Sequence, residues 1–178
     1  MKHPESFSDI LIAEIAELHS AEIQLGLALP TMMQIATSYE LALIIDEYLQ
    51  ATEVNARRLD EVQKILVYYP RQKFSDSTTL LIAECEDKYG IPQQTVRDAS
   101  LIAGLQKINY LKLAIYENTH ESSRLLGLPK VHSLLSELLA RELGFKKKLY
   151  LLALRHKRPA GLLPQATSSR DELASRSA

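Results

Sequence analysis

The sequence predicts an all-α protein built as a bundle of four long helices. Apolar residues recur at steps of three and four over long stretches, which is the spacing of one face of a helix. No stretch alternates apolar and polar residues between turn signals, as a half-buried strand would. Only 6 of the 178 residues are Gly and 7 are Pro, so collagen-like and low-complexity classes are excluded.

The first two helices are predicted from their apolar stripes. The first is expected over 7–29, with Leu11, Ile15, Leu18, Leu25 and Leu29 on one face. Pro30 is expected to kink or end it, and residues 31–36 could continue it. Residues 37–40, Thr-Ser-Tyr-Glu, are typical of a capping box, and they predict a second helix from about Ser38 to Val67.

A long connection separates the second and third long helices. It contains a polar loop at 71–75 and a shorter helix at 76–89 that stops before Gly90 and Pro92. The third long helix is predicted over 92–126 and the fourth over 129–155. Such a crossover lets helices two and three run parallel, whereas the short links make their neighbours antiparallel. We therefore predict a ferritin-like four-helix bundle with a short extra helix in the crossover.

Composition and charge limit the class of protein. The 21 Lys and Arg residues nearly balance 22 Asp and Glu residues, which argues against a nucleic-acid partner. No apolar run is long enough for a signal or membrane helix, so we expect a cytoplasmic protein without a membrane partner. Cys85 is the single cysteine and lies between two glutamates, so a reactive thiolate is not expected. We expect one domain over 1–157 and a disordered tail over 158–178.

Polar residues interrupt every apolar stripe near the middle of its helix. Because a buried carboxylate costs several kcal/mol unless it is paired or binds a metal, this coincidence predicts a polar site in the core. The interrupting residues are Glu22 on the first helix, Tyr48, Thr52 and Asn55 on the second, Asn109 and Lys112 on the third, and Glu142 on the fourth.

Seven segments in order along the chain resemble the YciE/YciF-type family of ferritin-like proteins. They are IAEIAELHSAEIQL at 12–25, ALP at 28–30, ATSYEL at 36–41, QATE at 50–53, RLDEV at 58–62, DASLIA at 98–103 and QKI at 106–108. The resemblance covers residues 7–153. It implies a ferritin-like bundle that is usually dimeric, a dinuclear metal site in the core and a link to bacterial stress responses.

The resemblance also implies which ligands are kept. Glu22 matches the family's glutamate on the first helix, and Glu142 matches the one on the fourth. The second helix of the family supplies a histidine and a glutamate where this chain has Tyr48 and Ala51. The third supplies acidic residues and a histidine where this chain has Asn109, Tyr110 and Lys112. The implied site is therefore degenerate.

We expect Lys112 to take the place of the metal between Glu22 and Glu142. An ammonium can neutralise facing carboxylates through charge-assisted hydrogen bonds. The phenols of Tyr48 and Tyr110 are expected to donate further bonds to the cluster, with Asn109 beside them.

Two weaker sets of metal ligands remain open. His19 shares a helix face with Glu22 and could bind iron or manganese together with Glu142. Glu117 and His120 form a Glu-x-x-His pattern, but such a dinuclear site normally needs one pattern on each of two helices.

The sequence favours a non-catalytic ferritin-like protein without a metal cofactor, acting as a stress-associated scaffold. We expect a homodimer and an additional protein partner, because the third helix has a second apolar face that the crossover helix or a second copy could cover. The alternative is a ferritin-like metal-binding protein or oxidoreductase with a reduced iron or manganese site.

Overall fold

The computed structural model describes residues 5–68 and 75–156, and these residues form five α-helices and no strand. The helices are α1 (Phe7–Ile35), α2 (Tyr39–Ile65), α3 (Asp76–Glu86), α4 (Gln94–Leu125) and α5 (Pro129–His156), and a 3₁₀ helix (Asp87–Gly90) follows α3. The predicted all-α bundle with a helical crossover is confirmed. The predicted tail, and most of the predicted loop at 71–75, lie outside the described residues.

Serine side chains begin three of the helices. Ser6, Ser38 and Ser75 each accept a hydrogen bond from a backbone N–H of the first turn, which satisfies one of the donors that a helix N-terminus leaves unpaired. The capping box predicted to begin at Thr37 is wrong by one residue, because Ser38 is the cap of α2. The backbone N–H of Thr37 instead donates to the Asp98 carboxylate of α4, at 2.7 Å.

Helix α1 continues through Pro30 to Ile35, so the proline does not end it. Pro30 is exposed, and the carbonyl that loses its partner four residues earlier can therefore face water. The continuation places Met32 and Ile35 in the core.

The four long helices pack with antiparallel neighbours. Helix α1 contacts α2 and α4, and α5 contacts α4 and α2. The Asp98 carboxylate near the start of α4 accepts from the backbone N–H groups of Thr37 and Ser38 at the start of α2, so α2 and α4 run parallel across the bundle. This is the arrangement that a long crossover produces.

Helix α3 covers the second apolar face of α4. Leu101 and Ile108 on that face are fully buried, and Cys85 of α3 lies against Gly104 of α4. A Cβ atom at position 104 would lie 2.4 Å from the Cys85 Sγ, so the two helices approach closely only because residue 104 is glycine. Burial raises the pKa of the Cys85 thiol to about 12, which disfavours the thiolate. The crossover helix therefore covers the part of this face formed by Leu101 and Ile108.

No helix in the described residues is long and apolar enough to cross a membrane.

Candidate functional site

A layer of buried polar side chains divides the core of the bundle into two apolar halves. One half is built around Leu25, Ile45 and Leu105, and the other around Leu18, Leu59 and Leu138. We call the eight side chains between and bordering these halves the polar layer: Glu22, Tyr48, Thr52, Asn55, Asn109, Lys112, Tyr116 and Glu142, each at most 1% exposed. All four long helices contribute to it.

Lys112 lies at the centre of the polar layer. Its Nζ is 2.8 Å from Glu22 Oε2 and 2.8 Å from Glu142 Oε1, so one ammonium joins α1, α4 and α5. The same Nζ is 3.4 Å from the Tyr48 hydroxyl oxygen and 4.9 Å from the centroid of its ring. The three ionisable side chains that meet here, Glu22, Lys112 and Glu142, form what we call the charge cluster.

Every oxygen of the two carboxylates accepts at least one hydrogen bond. The Tyr116 hydroxyl donates to Glu22 Oε1 at 2.6 Å. Asn109 Nδ2 donates to Glu142 Oε2 at 2.7 Å, and the Tyr48 hydroxyl donates to the same oxygen at 3.2 Å. Donors to the ionised form offset part of the cost of taking a carboxylate out of water.

Asn55 connects the charge cluster to a second cation. Its Nδ2 donates to Glu22 Oε1 and to Glu142 Oε1, at 3.2 Å each. Its Oδ1 accepts from Arg141 Nη1 at 3.3 Å. With both carboxylates ionised, the cluster has one excess negative charge, and the partly buried Arg141 guanidinium is linked to it through Asn55.

The electrostatic environment keeps Lys112 charged and the tyrosines neutral. Burial by itself would lower the pKa of Lys112, but the attraction of Glu142 and Glu22 raises it above its usual value. Burial raises the pKa of Tyr48 and of Tyr116, and the nearby carboxylates raise both further, so these phenols remain donors. Burial also raises the pKa of Glu22, while Lys112 opposes that change.

Two atoms of the polar layer have no hydrogen-bond partner among the described residues: Thr52 Oγ1 and Asn109 Oδ1. A buried hydroxyl and a buried amide oxygen are the kind of groups that an ordered water satisfies. They are neutral oxygens and add no anionic ligand to the site.

The structure brings together Glu22, Tyr48, Asn109, Lys112 and Glu142 of the predicted site, but it places Tyr110 elsewhere. Tyr110 is 50% exposed, and its ring lies 5.0 Å from Lys146 Nζ on the outside of the bundle. The prediction for Tyr110 is wrong because one residue along a helix is a rotation of about 100°, which turns position 110 away from the core when Asn109 faces it.

The alternative metal ligands do not converge on the core carboxylates. His19 Nε2 lies 2.9 Å from Asp60 Oδ1 near the surface, so His19 pairs with α2 and not with Glu142. Within the described residues, 5–68 and 75–156, no three His, Cys, Asp or Glu side chains are grouped so that they could hold a metal ion.

The Glu-x-x-His pattern on α4 does not form a ligand pair with the polar layer. His120 stacks on the ring of His132 with centroids 4.1 Å apart, and its Nε2 is 2.9 Å from Ser136 Oγ. Glu117 is exposed on α4.

Sequence reasoning missed the roles of Tyr116 and Asn55. Tyr116 follows Asn109 and Lys112 at the same three-to-four spacing, and that periodicity is the signal that could have included it. Asn55 was recognised as a polar interruption of its stripe, but periodicity does not show that one amide reaches both carboxylates. That contact depends on how α2 is rotated against α1 and α5.

Comparison with known proteins identifies the relatives of this chain. Residues 6–158 match the family model described as a domain of unknown function, DUF892. Protein YciF of Escherichia coli (strain K12) is 27% identical over 154 residues, which cover 85% of this chain and 93% of YciF.

Solved structures show the same fold. The crystal structure of the E. coli stress protein YciF superposes with a TM-score of 0.82 at 26% identity, covering 86% of this chain and 98% of that one. YcfI from Rhodopseudomonas palustris superposes with a TM-score of 0.78 at 28% identity, covering 82% of this chain and 94% of that one. Ferritin-like di-iron carboxylate proteins of Bacillus anthracis str. Ames give 0.66 at 15% identity, covering 86% and 99%, which is a likeness of fold alone.

Proposed function

Because this chain belongs to the DUF892 family and is a YciF-type protein with the ferritin-like fold, we propose that it is a non-catalytic member whose di-metal site has been replaced by the charge cluster. The observation that carries the proposal is the position of Lys112, whose Nζ lies 2.8 Å from both Glu22 and Glu142. A lysine ammonium stands where a bridging cation would bind.

The residues of the polar layer do not fit a di-iron centre. Such a centre in a ferritin-like bundle uses a glutamate from each of two helices and a Glu-x-x-His pair from each of the other two. This chain has the two single glutamates, Glu22 and Glu142, but α2 has no such pair, and the Glu117 and His120 pair of α4 lies outside the polar layer. Both glutamates already accept hydrogen bonds from Lys112, and an ammonium has no lone pair to offer a metal.

The proposed role is that of a stress-associated scaffold that acts as a homodimer. The stress association follows from the similarity to YciF, which is described as a stress protein. Support for a homodimer comes from a groove between α1 and α3 whose apolar lining is Leu27, Ala28 and Ile82, with Leu27 largely exposed. An exposed large apolar side chain in an apolar groove is typical of a protein–protein contact.

The alternative, iron or manganese bound by Glu22 and Glu142, requires Lys112 to leave the cluster. Among the described residues, no third His, Cys, Asp or Glu side chain lies with Glu22 and Glu142 to complete a metal site. That geometry favours a structural cluster over a redox site.

Metal content tests the proposal. The full chain, purified without chelators, is incubated with excess Fe²⁺, Mn²⁺ or Zn²⁺, desalted and measured by elemental mass spectrometry. We expect less than about a tenth of an equivalent per chain, because Lys112 and the hydrogen-bond donors occupy the carboxylates. Two equivalents would overturn the proposal, and one equivalent lost on Glu142→Gln would establish the alternative.

The homodimer is tested separately by sedimentation equilibrium, against a chain mass of 20.0 kDa. Leu27→Glu, which places a carboxylate in the groove, is expected to give monomer. Lys64→Glu, which changes an exposed residue of α2, is the control and should leave the dimer intact. A monomeric wild-type chain would refute the dimer without affecting the interpretation of the charge cluster.

A further inference from the structure

The outward side of α5 is an apolar ridge. The buried residues of α5 recur at Leu138, Glu142, Phe145, Leu149 and Leu152, and the exposed apolar residues lie on the opposite side of the same helix. We call the exposed set the α5 crest: Leu143 (42% exposed), Tyr150 (54%), Leu151 (44%) and Leu154 (45%). From Leu143 to Leu154 the crest is about 17 Å long at 1.5 Å per residue.

Cross-helix contacts close the grooves on both sides of this ridge. On the α4 side, Lys146 lies over the Tyr110 ring at 5.0 Å. On the α2 side, Lys148 pairs with Glu47 at 2.5 Å and Arg155 pairs with Glu40 at 2.6 Å. A partner helix packs by placing its side chains into a groove, and these three contacts cross both grooves beside the crest.

The ridge lies in a segment of α5 that has no acidic residue of its own. From residue 143 to residue 156 no Asp or Glu occurs and four Lys or Arg residues do, of which Lys148 and Arg155 pair with Glu47 and Glu40 of α2. Glu142, just before it, is fully buried in the charge cluster. Lys147 lies in the middle of the crest, where it is exposed and has no carboxylate partner among the described residues.

We propose that the α5 crest docks on an anionic lipid surface. Leucine and tyrosine side chains beside lysines are typical of helices that lie in the membrane interface, where the apolar groups enter the headgroup–acyl boundary and the ammoniums meet phosphates. Each Lys or Arg near an anionic bilayer adds to binding. A second copy of the same crest is disfavoured as the occupant, because it would bring the unpaired lysines of both copies together.

This contact is peripheral and needs no membrane span, and it departs from the expectation of no membrane partner, which rested on the lack of a long apolar run. It rests on the surface of α5 and does not depend on the charge cluster, on the absence of a metal or on the homodimer. Failure of the metal or dimer experiment therefore leaves it standing, and its own failure leaves them standing.

Vesicle co-sedimentation of the full chain tests the proposal. The vesicles contain equal parts of phosphatidylglycerol and phosphatidylcholine, or phosphatidylcholine alone. We expect binding to the anionic vesicles to be at least about tenfold tighter, and to weaken strongly between about 0.1 M and 0.5 M NaCl, where screening shortens the reach of the lysine charges.

Paired variants assign the contact to the crest. Leu143→Ser with Leu154→Ser, and separately Lys146→Gln with Lys147→Gln, are each expected to weaken binding to anionic vesicles by about tenfold or more. All four side chains are at least partly exposed, and circular dichroism verifies the fold. Lys64→Gln with Lys130→Gln makes the same change of charge away from the crest and should bind like the wild type.

Three results would overturn the proposal. The first is equal binding to both kinds of vesicle, and the second is wild-type binding by both crest variants. The third is crest-dependent binding to soluble poly-L-glutamate with none to vesicles, which would assign the crest to an acidic protein partner.

Discussion

Two buried carboxylates in different regions of this molecule have pKa values that are shifted in opposite directions. Glu22, in the middle of the bundle, has a pKa raised by burial, although Lys112 opposes the change. Asp98, at the end of the bundle, is 2% exposed and burial alone would raise its pKa too. Its pKa is nevertheless lowered, because it accepts hydrogen bonds from the backbone N–H groups of Thr37 and Ser38.

The difference shows that the source of the donors matters more than burial. Asp98 faces two unpaired N–H groups at the start of α2, where the helix dipole also favours an anion. Glu22 relies on side chains, and it shares the Lys112 ammonium with Glu142. One carboxylate therefore completes a helix end, while the other needs a cation that is itself expensive to bury.

The largest effect is expected from removing that cation with Lys112→Met. The variant leaves two carboxylates buried with no ammonium between them, and we expect a loss of about 3–5 kcal/mol of unfolding free energy. Urea denaturation at neutral pH measures it. Lys107→Met is the matched control on the same helix, because Lys107 is 53% exposed in its pair with Glu84 and should change stability by about 1 kcal/mol or less. A similar loss in both variants would contradict the structural role of Lys112.

Removing the whole charge cluster should cost less than removing its cation. In the triple variant Glu22→Gln, Lys112→Met, Glu142→Gln, no charge is left buried, and the Gln carbonyls can still accept from Tyr116 and Asn109. We expect it to be more stable than Lys112→Met by about 1–4 kcal/mol. The same urea titration measures both. Losses that simply add over the three sites would show that the cluster does not act as a unit.

At the other carboxylate, Asp98→Ala should cost about 1–3 kcal/mol, because two backbone donors at the start of α2 lose their acceptor. Hydrogen exchange of the Thr37 and Ser38 amides should accelerate in the variant. Asp98→Asn keeps one acceptor oxygen and is expected to fall between Asp98→Ala and the wild type. Unchanged exchange at both amides would refute the bonding seen at this end of the bundle.

The smallest and most specific effect concerns pH. The pKa of Glu22 in the folded state is raised above its usual 4.5. The protein therefore loses stability through this group as pH rises from 4.5 to the folded-state pKa. The pKa of Asp98 in the folded state is lowered below 3.8, so its contribution is complete above 3.8 and is lost as pH falls through the folded value.

Compared with the wild type, Glu22→Gln should therefore gain stability as pH rises from 4.5, and Asp98→Asn should gain as pH falls below 3.8. Urea midpoints measured in pH steps give both slopes, and carbon-13 titration of the two carboxyls gives the pKa values directly. Slopes of the same sign in the two variants would show that burial alone governs both sites.

Much of the fold could be predicted because it depends on local periodicity. The stripes through Leu18, Leu59 and Leu138 identify the core faces of three helices, and the long gap before α4 identifies the crossover. The end of α1 could not be predicted in the same way, because Pro30 is compatible with either a stop or a continuation. Its exposure and the packing of Ile35 behind it decide for continuation.

By itself, the sequence determined that charged and polar groups would meet inside the bundle, since Glu22, Lys112 and Glu142 each interrupt an apolar stripe that repeats at steps of three and four residues. Only the tertiary structure decided which atoms pair. In the structure Tyr116, and not Tyr110, donates to Glu22. Asn55 donates to both carboxylates, and His19 pairs with Asp60. The physical reason is that periodicity specifies a face of one helix, whereas a hydrogen bond depends on the rotation and height of two helices against each other.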